Sequence, residues 1–416
     1  MSRRTALLAY VVAVVVTAGC REDQAPFPSE ATRPVPRALD VVPAGLWSGV
    51  IDGQTGPGSL YRLYMPTAWN GKLVVYAHGS VPPFQPVAIP AEAASVAALF
   101  GAQGFAVALS SYSLTGSAIK DGATRTHQLR GLFASRFGQP TRTYLVGSSM
   151  GGFIVASLAE RYPQQYDGVM PFCGVVGGFT AEFTYLLNVR ALFDLLYPHV
   201  LPGSAGDVPL PADPVAAAAA LQVIQGQVLL AIQADARPLP GALQIGLIDQ
   251  TAMPLPAPLG PLTPQQFAAF VITPLVAHAE FLNDAVEQTH GHFPFTNVGT
   301  TYTSAAPFMA PLLPAINAGV ERVAADRSAQ NLLQQNGETS GQIGIPTLTL
   351  HTRYDPEVPI ATEMIYRQRV QAAGRSDLLV QRTTAGFGHC KFTPQELASG
   401  FADLVAWVEQ GVRPSP

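Results

Sequence analysis

The run Leu145-Val146-Gly147-Ser148-Ser149-Met150-Gly151-Gly152 constrains the fold more than any other stretch of this chain. An aliphatic, strand-like segment breaks into the pattern G-x-S-x-G and continues as a helix-compatible segment. Such a pattern describes a sharp strand-to-helix turn. Gly147 and Gly151 are the small residues that so crowded a turn requires. The turn leaves the Ser149 hydroxyl at the end of a strand, and the next backbone N–H points at the same spot from a helix N-terminus. Ser149 is therefore the candidate nucleophile. In a chain with 38 glycines the same five positions also describe an inert Gly/Ser turn. Partners elsewhere in the sequence decide between the two.

Strands and helices alternate around this turn. Residues 60–66 alternate large side chains and stop at a proline, and Trp69-Asn70-Gly71-Lys72 is a turn signal. Lys72–Ala77 is a continuous apolar strand ending in His78-Gly79-Ser80. Residues 90–100 are helix-compatible, residues 105–110 form another buried strand, and residues 124–137 have helical spacing. Residues 143–146 lead into the serine motif, a helix follows over 152–161, and a strand over 168–172 ends at Cys173. Strands apolar on both faces, separated by helices, give an α/β fold with a parallel sheet.

From residue 181 to 342 the rhythm stops. The segment is rich in Ala and Leu, interrupted by prolines, and holds no clear strand. Residues 182–197 and the alanine run 216–220 are examples. We read it as a helical insertion, with a separate helical domain as the alternative. Strand and helix resume at residues 345–351 and 378–382, and an amphipathic helix over 394–410 closes the chain. The expected division is a first core part over 41–180, an insertion over 181–342 and a second core part over 343–416.

The N-terminus reads as a targeting segment. Arg3 and Arg4 precede an apolar run over 6–16 that is too short for a transmembrane span. Thr17-Ala18-Gly19-Cys20 resembles the lipobox of bacterial lipoproteins, which implies lipidation of Cys20; it departs from the usual pattern at Thr17. A plain signal peptide or membrane anchor is the alternative. Residues 1–19 are then the signal, and residues 20–40, rich in Pro and charge, a tether, with order beginning near Val41. The expected location is the bacterial cell envelope or the exterior, with membrane contact only through the lipid anchor. Beyond Cys20, Cys173 and Cys390 remain as an even pair in an oxidising compartment. They can bridge, closing a loop worth on the order of 3–5 kcal/mol, or stay two buried thiols. With 12% charged residues, a net charge of −4 and no basic stripe, nucleic acid is not an expected partner.

A serine hydroxyl needs a base, and the base needs an orienting group. In a sheet of this kind the order should be serine, acid, histidine. Asp355 follows the strand over 345–351 through a short loop, with Glu357 as the fallback acid. The base candidate is His389, flanked by Gly386 and Gly388 that allow a tight loop. The oxyanion needs two donors. These are the backbone N–H of Met150 and that of Ser80, with Gly79 or Val81 as alternatives to Ser80; His78 shapes the turn. Tyr112, after the strand ending at Ser110-Ser111, is expected to line the pocket. Phe183, Tyr185 and Phe193 serve either a pocket or the core. His290-Gly291-His292 lacks a neighbouring Cys or carboxylate cluster, so no metal is expected.

The set His78-Gly79, G-x-S-x-G, late Asp355 and later His389 resembles the α/β-hydrolase superfamily. That resemblance implies a mostly parallel eight-stranded sheet, a Ser149–His389–Asp355 triad, a lid at the insertion and no cofactor. The pair His389-Cys390 is also similar to secreted esterases of the tannase and feruloyl esterase type. Those place a second cysteine beside the nucleophile, where this chain has Ser148. Cys173 can still reach Cys390 near the site. The expected protein is an extracytoplasmic serine hydrolase that cleaves small-molecule carboxylic esters through an acyl-enzyme. A peptidase or amidase with the same triad, and a non-catalytic binding protein on a hydrolase scaffold, are the other readings. Oligomeric state is left open.

Overall fold

The structure is a computed structural model that describes residues 45–253 and 264–416. The signal segment, Cys20, the tether and the start of order near Val41 lie outside the described residues. The chain first forms β1 (Trp47–Gln54), β2 (Leu60–Pro66), β3 (Lys72–Ala77), α1 (Ala93–Gly101), β4 (Ala106–Ser110) and α2 (Ile119–Phe137). It continues through β5 (Arg142–Ser148), α3 (Met150–Arg161) and β6 (Gly168–Phe172). Six helices follow: α4 (Phe179–Leu196), α5 (Pro214–Ala234), α6 (Gly241–Gly246), α7 (Pro264–Gln288), α8 (Leu313–Gly319) and α9 (Arg327–Gly337). The chain ends with β7 (Thr347–Tyr354), α10 (Ala361–Ala372), β8 (Leu379–Phe387) and α11 (Pro394–Gln410).

All eight strands join one sheet in the order β1-β2-β4-β3-β5-β6-β7-β8. β2 runs antiparallel to β1 and β4, and every pair from β4 to β8 is parallel. The expected sheet is therefore present. Its apolar runs follow from coverage on both faces. In β3, Leu73, Val75 and Ala77 belong to the core that includes Leu129 and Phe133 of α2 and Phe153 of α3. Val74 and Tyr76 belong to the opposite core, with Phe100 of α1 and Phe401 and Leu404 of α11. The Phe401 ring is fully buried and meets Phe100 at 4.7 Å and Phe105 at 5.1 Å. Burying such a ring stabilises the fold by roughly 1.5–3 kcal/mol.

Helix α11 matches its expected bounds because its signals are local. Thr393 and Glu396 form a reciprocal capping box, Pro394 occupies the first turn, and Gly411 ends the helix at φ +72°. Other boundaries moved. α2 begins at Ile119, five residues before its expected start, and β8 extends five residues beyond its expected end, to Phe387. β1 was not anticipated. Its sequence, WSGVIDGQ, carries two glycines and one face that stays exposed, and its pairing with β2 makes it a strand.

Between β6 and β7 the described residues form no strand of the sheet. α4 is buried on nearly every side. α7 spans the ends of the parallel strands: its Phe270 ring meets Phe387 of β8 at 5.3 Å, and its Asp284 accepts the Ser117 N–H beyond β4 at 2.6 Å. α5 carries no charged residue and is apolar and long enough to cross a membrane by length and composition. Its Ala217, Leu221, Ile224 and Val228 are buried, while Val215, Val223 and Leu230 are exposed.

Candidate active site

The parallel strands deliver three expected residues to one edge of the sheet. Ser149 follows β5, Asp355 follows β7 and His389 follows β8. Ser149 is the residue before α3 and has φ +53° and ψ −124°. A non-glycine residue held at such a φ costs on the order of 1–3 kcal/mol and persists only where its surroundings enforce it. Here the Ser149 N–H donates to the Phe172 carbonyl at 3.2 Å, and the Ser149 carbonyl accepts from Gly152 and Val175. The glycines of the motif answer to sterics. A Cβ on Gly151 would lie 2.1 Å from the Ala77 carbonyl oxygen, and one on Gly147 would lie 2.3 Å from the Gly151 oxygen. Ser148 points away, to the Tyr76 hydroxyl at 2.9 Å.

His389 Nδ1 lies 2.8 Å from Asp355 Oδ2. With the carboxylate accepting, Nδ1 carries the proton and Nε2 is left as the base. The other Asp355 oxygen accepts the N–H groups of Glu357 and Val358, each at 3.0 Å. Burial alone would raise the pKa of Asp355. The charge of His389, its hydrogen bond, the nearby His351 and the Val358 N–H outweigh burial, and the carboxyl is held below its ordinary value. Thr352 Oγ1 donates to the Gly388 carbonyl at 2.9 Å, and Gly388 N–H donates to Tyr354 at 2.8 Å. The acid loop and the histidine loop are thereby tied together. Gly388 itself has φ +102°, which a side chain would resist.

A disulfide joins Cys173 and Cys390, with their Cα atoms 5.2 Å apart. Cys173 follows Phe172, the acceptor of the Ser149 N–H, and Cys390 Sγ lies 3.5 Å from His389 Nε2. The bridge therefore pins the basic edge of the imidazole to the chain that wraps the serine. The fallback acid Glu357 stands on this edge too, its carboxylate 4.0 Å from Nε2. Asp355 is the acid that meets Nδ1. Cys173, His389 and Cys390 are also the one group with metal-ligand spacing among the described residues, and its two cysteines are oxidised to each other. His290 and His292 are exposed, with His292 3.6 Å from Asp326.

The turn after β3 packs on the serine: a Cβ on Gly79 would sit 3.1 Å from Ser149 Cβ. Ser80 is next in this turn, and Met150 opens α3, whose first amides have no intrahelical acceptor. His78 is buried, and its Nδ1–H donates to the Gly79 carbonyl at 2.7 Å. Burial lowers its pKa to about 4, so the ring is neutral at pH 7. Tyr112 was expected at the pocket wall. It is only 1% exposed, its ring stacks on His78 at 3.9 Å and its hydroxyl donates to the His78 carbonyl at 2.9 Å. It braces the turn from below. Phe183 stacks on Phe295 and Phe193 on Tyr197 within the helical core. Tyr185 donates to the Pro356 carbonyl at 2.8 Å and so fastens α4 to the acid loop.

Sequence reasoning missed several polar groups here. His351, fully buried in β7, has Nε2 3.7 Å from Asp355 and donates to the Val358 carbonyl at 2.9 Å. Glu363 of α10 lies 3.4 Å from its other nitrogen and accepts from Thr349 at 2.6 Å. Burial alone would lower the His351 pKa, and the two carboxylates together with the Val358 carbonyl raise it instead. A lone polar ring inside an apolar strand was the available signal. Glu182 of α4 and Glu280 of α7 are each only 8% exposed. Burial, then repulsion from Glu357 and Asp355, pushes Glu182 well above its ordinary value despite the attraction of His389. Burial, then Glu357, pushes Glu280 up to about 8. Glu357 is raised as well, chiefly by burial.

No family's sequence model matches the chain, and no curated protein matches it either. Solved structures match it at low identity. Feruloyl esterase B from Aspergillus oryzae is 16% identical, with a TM-score of 0.44 over 88% of this chain and 81% of that one. Tannin acyl hydrolase from Aspergillus niger is 13% identical, with a TM-score of 0.44 over 88% of this chain and 78% of that one. Lipase A from Candida antarctica, in its closed state, is 13% identical, with a TM-score of 0.44 over 94% of this chain and 89% of that one. The order and direction of the eight strands, with the serine turn after the fifth, the aspartate after the seventh and the histidine after the eighth, are those of the α/β-hydrolase fold.

Proposed function

We propose that this protein is a serine hydrolase of carboxylic esters that works through an acyl-enzyme on Ser149. The observation that carries the reading is the Asp355–His389 pair, joined at 2.8 Å, on the same sheet edge as a serine held at φ +53°. His389 Nε2 takes the Ser149 hydroxyl proton as Oγ bonds to the ester carbonyl carbon. The negative charge on the carbonyl oxygen is met by the N–H groups of Met150 and Ser80. The intermediate collapses, the carbon–alkoxy bond breaks, and His389 gives its proton to the departing alcohol. A water then loses a proton to His389 as it attacks the acyl carbon; the acyl carbon–Oγ bond breaks, His389 returns the proton to Ser149 Oγ, and the carboxylic acid leaves. Asp355 keeps the imidazole in the required tautomer throughout. None of these steps calls on a metal or an organic cofactor.

The helices between β6 and β7 serve in this reading as a lid, with α7 lying over the strand ends. The Cys173–Cys390 bridge supports an oxidising compartment. With the sequence around Cys20 it supports an exported, lipid-anchored protein. A Cys20→Ser variant should leave the membrane fraction.

The direct test is labelling by a fluorophosphonate probe together with release of p-nitrophenol from short-chain p-nitrophenyl esters. Both should occur in the wild type and vanish in Ser149→Ala. A folded wild type that neither labels nor turns over any ester would overturn the proposal in favour of a binding protein. Faster turnover of aminoacyl or prolyl anilides than of matched esters would move it to a peptidase or amidase.

A further inference from the structure

The proposed hydrolysis depends on one buried charge, that of Asp355, and a second imidazole lies behind it. His351 of β7 stands one helical-turn spacing before Asp355 in sequence, at i and i+4, and is fully buried. Its Nε2–H donates to the Val358 carbonyl at 2.9 Å, and Nε2 lies 3.7 Å from Asp355 Oδ2. Val358 in turn donates its N–H to Asp355 Oδ1 at 3.0 Å. The ring therefore meets Asp355 twice, once across space and once through the loop that carries the acid. The hydrolytic steps give this ring no task.

On the far side, His351 Nδ1 lies 3.4 Å from Glu363 Oε1, and neither atom has another hydrogen-bond partner among the described residues. Nε2 already carries a proton, so one further proton belongs between these two atoms. The surroundings of the carboxyl put it on the ring. Thr349 Oγ1 donates to Glu363 Oε2 at 2.6 Å, and the Gln381 amide donates to the same oxygen. Gln381 is fixed in that orientation, because its Oε1 accepts from Arg367 Nε at 2.7 Å and its Nε2 also donates to the Glu363 carbonyl at 2.9 Å. Two donors on one oxygen favour the ionised carboxyl. A neutral ring between two buried carboxylates would leave both uncompensated, whereas an imidazolium answers both. Against burial, Glu363, Asp355 and the Val358 carbonyl together hold the His351 pKa above its ordinary value.

We propose that His351 is a positioning residue for the triad: a buried imidazolium, fixed between Glu363 and Asp355, that keeps Asp355 ionised while His389 is neutral and so leaves His389 free to act as the base. The inference rests on the ester-hydrolase reading and adds a residue to its machinery. In the resting site His389 is neutral, ready for the Ser149 proton, and lends Asp355 no positive charge. His351 lends one in every state of the cycle, because its protons are sealed from solvent. Against burial, His389 acts most strongly on Asp355, and His351 is the other charge that holds it down. Glu363 balances the ring, so the pair is neutral as a whole and its field is felt chiefly by Asp355, which faces the cationic end. Without that cation, protonated His389 gains stability beside Asp355, and the base is lost at a higher pH.

The kinetic test follows kcat/KM for p-nitrophenyl butyrate from about pH 5 to 9 on the full chain. The double variant His351→Gln, Glu363→Gln replaces the ion pair by two neutral amides and leaves no unpaired charge. Its acidic limb, which reports His389, should move up by about 0.5–1 pH unit, so that on the limb the rate falls about 3–10-fold relative to the alkaline plateau. The groups facing His351 are Asp355 and Glu363, and Glu363 also acts on Tyr366 of α10. Asp355, Glu357 and Glu182 act on His389, Lys391 acts on Glu357, and Tyr185 acts with Asp355. All of these except His351 and Glu363 are the same in both proteins, so the difference between the two profiles isolates the pair. A merely structural role would lower the rate by one factor at every pH. An unmoved limb in a folded double variant overturns the proposal.

Neutron diffraction supplies an arm that needs neither a variant nor turnover. Wild-type protein expressed and crystallised in D2O at about pH 7 should show deuterium on both ring nitrogens of His351 and none on Glu363. A deuteron on Glu363 facing a bare Nδ1 overturns the proposal and leaves the esterase intact. A folded wild type that turns over no ester sinks the esterase reading and the part of His351 in it, while diffraction still decides the charge on the ring.

Discussion

Asp355 and the pair Glu182 and Glu280 are all buried carboxyls, and the fold treats them in opposite ways. Asp355 accepts from two backbone amides and a histidine, and is held below its ordinary pKa. The two glutamates have no such partners and are pushed above theirs. Burial acts in the same direction on all three. Partners make the difference, and they come from geometry: the loops after β7 and β8 turn their amides and the imidazole onto Asp355, while α4 and α7 offer only side chains. In the proposed mechanism the carboxylate that every turnover needs is the one whose charge the backbone and the imidazole stabilise.

The contrast breaks most visibly at the triad. Asp355→Asn should lower kcat for p-nitrophenyl esters by about 10⁴-fold, because His389 loses the acceptor that fixes its tautomer. A loss below about 10-fold would remove Asp355 from the mechanism. The disulfide comes next. Replacing Cys173 and Cys390 together by Ala should cost roughly 2–5 kcal/mol in denaturant unfolding, and it should also lower kcat because the bridge positions the histidine loop. Unchanged kcat in a folded double variant would confine the bridge to stability.

Stability against pH then separates the two kinds of carboxyl by sign. The depressed Asp355 contributes stability that is present above its unfolded value, near 3.8, and is lost as pH falls through the folded value. The advantage of the wild type over Asp355→Asn should therefore shrink below about pH 4 in urea titrations. Glu280 is raised from 4.5 to about 8, so the folded state holds its proton longer than the unfolded chain does. That contribution favours the fold at low pH and disappears as pH rises from 4.5 to about 8. Glu280→Gln should thus be stabilised relative to wild type at pH 9 compared with pH 5, by about 1–3 kcal/mol. A variant destabilised equally at both pH values would mean that Glu280 has a partner, and the contrast would collapse.

Legibility in the sequence followed the range of the signal. β3, β6 and α11 were readable because their information is local: unbroken apolar runs, and a capping box with a proline. The Ser149 turn was readable because its glycines answer to contacts within the motif and the neighbouring strand end. Asp355 and His389 were singled out by their order after later strands, and the structure brings them within 2.8 Å of each other. The edge strand β1 escaped because its only support is pairing with β2. Tyr112 was placed at the pocket, yet it lies beneath the turn, because strand position does not reveal which way a residue at φ +58° points.

The sequence by itself determined the alternation of strand and helix, the sharp turn at Ser149, the order of Ser149, Asp355 and His389 after successive strands, and the pair of cysteines. These are set by short-range sterics and by periodic apolar burial, which a linear pattern carries in full. The tertiary structure alone decided that Asp355 rather than Glu357 meets His389 Nδ1, that Cys173 and Cys390 join, and that Glu182 and Glu280 are buried on two helices within electrostatic reach of Glu357. Each of these depends on distances between segments far apart in the chain. Hydrogen bonding and charge act over a few ångströms of space, and sequence separation does not report that distance.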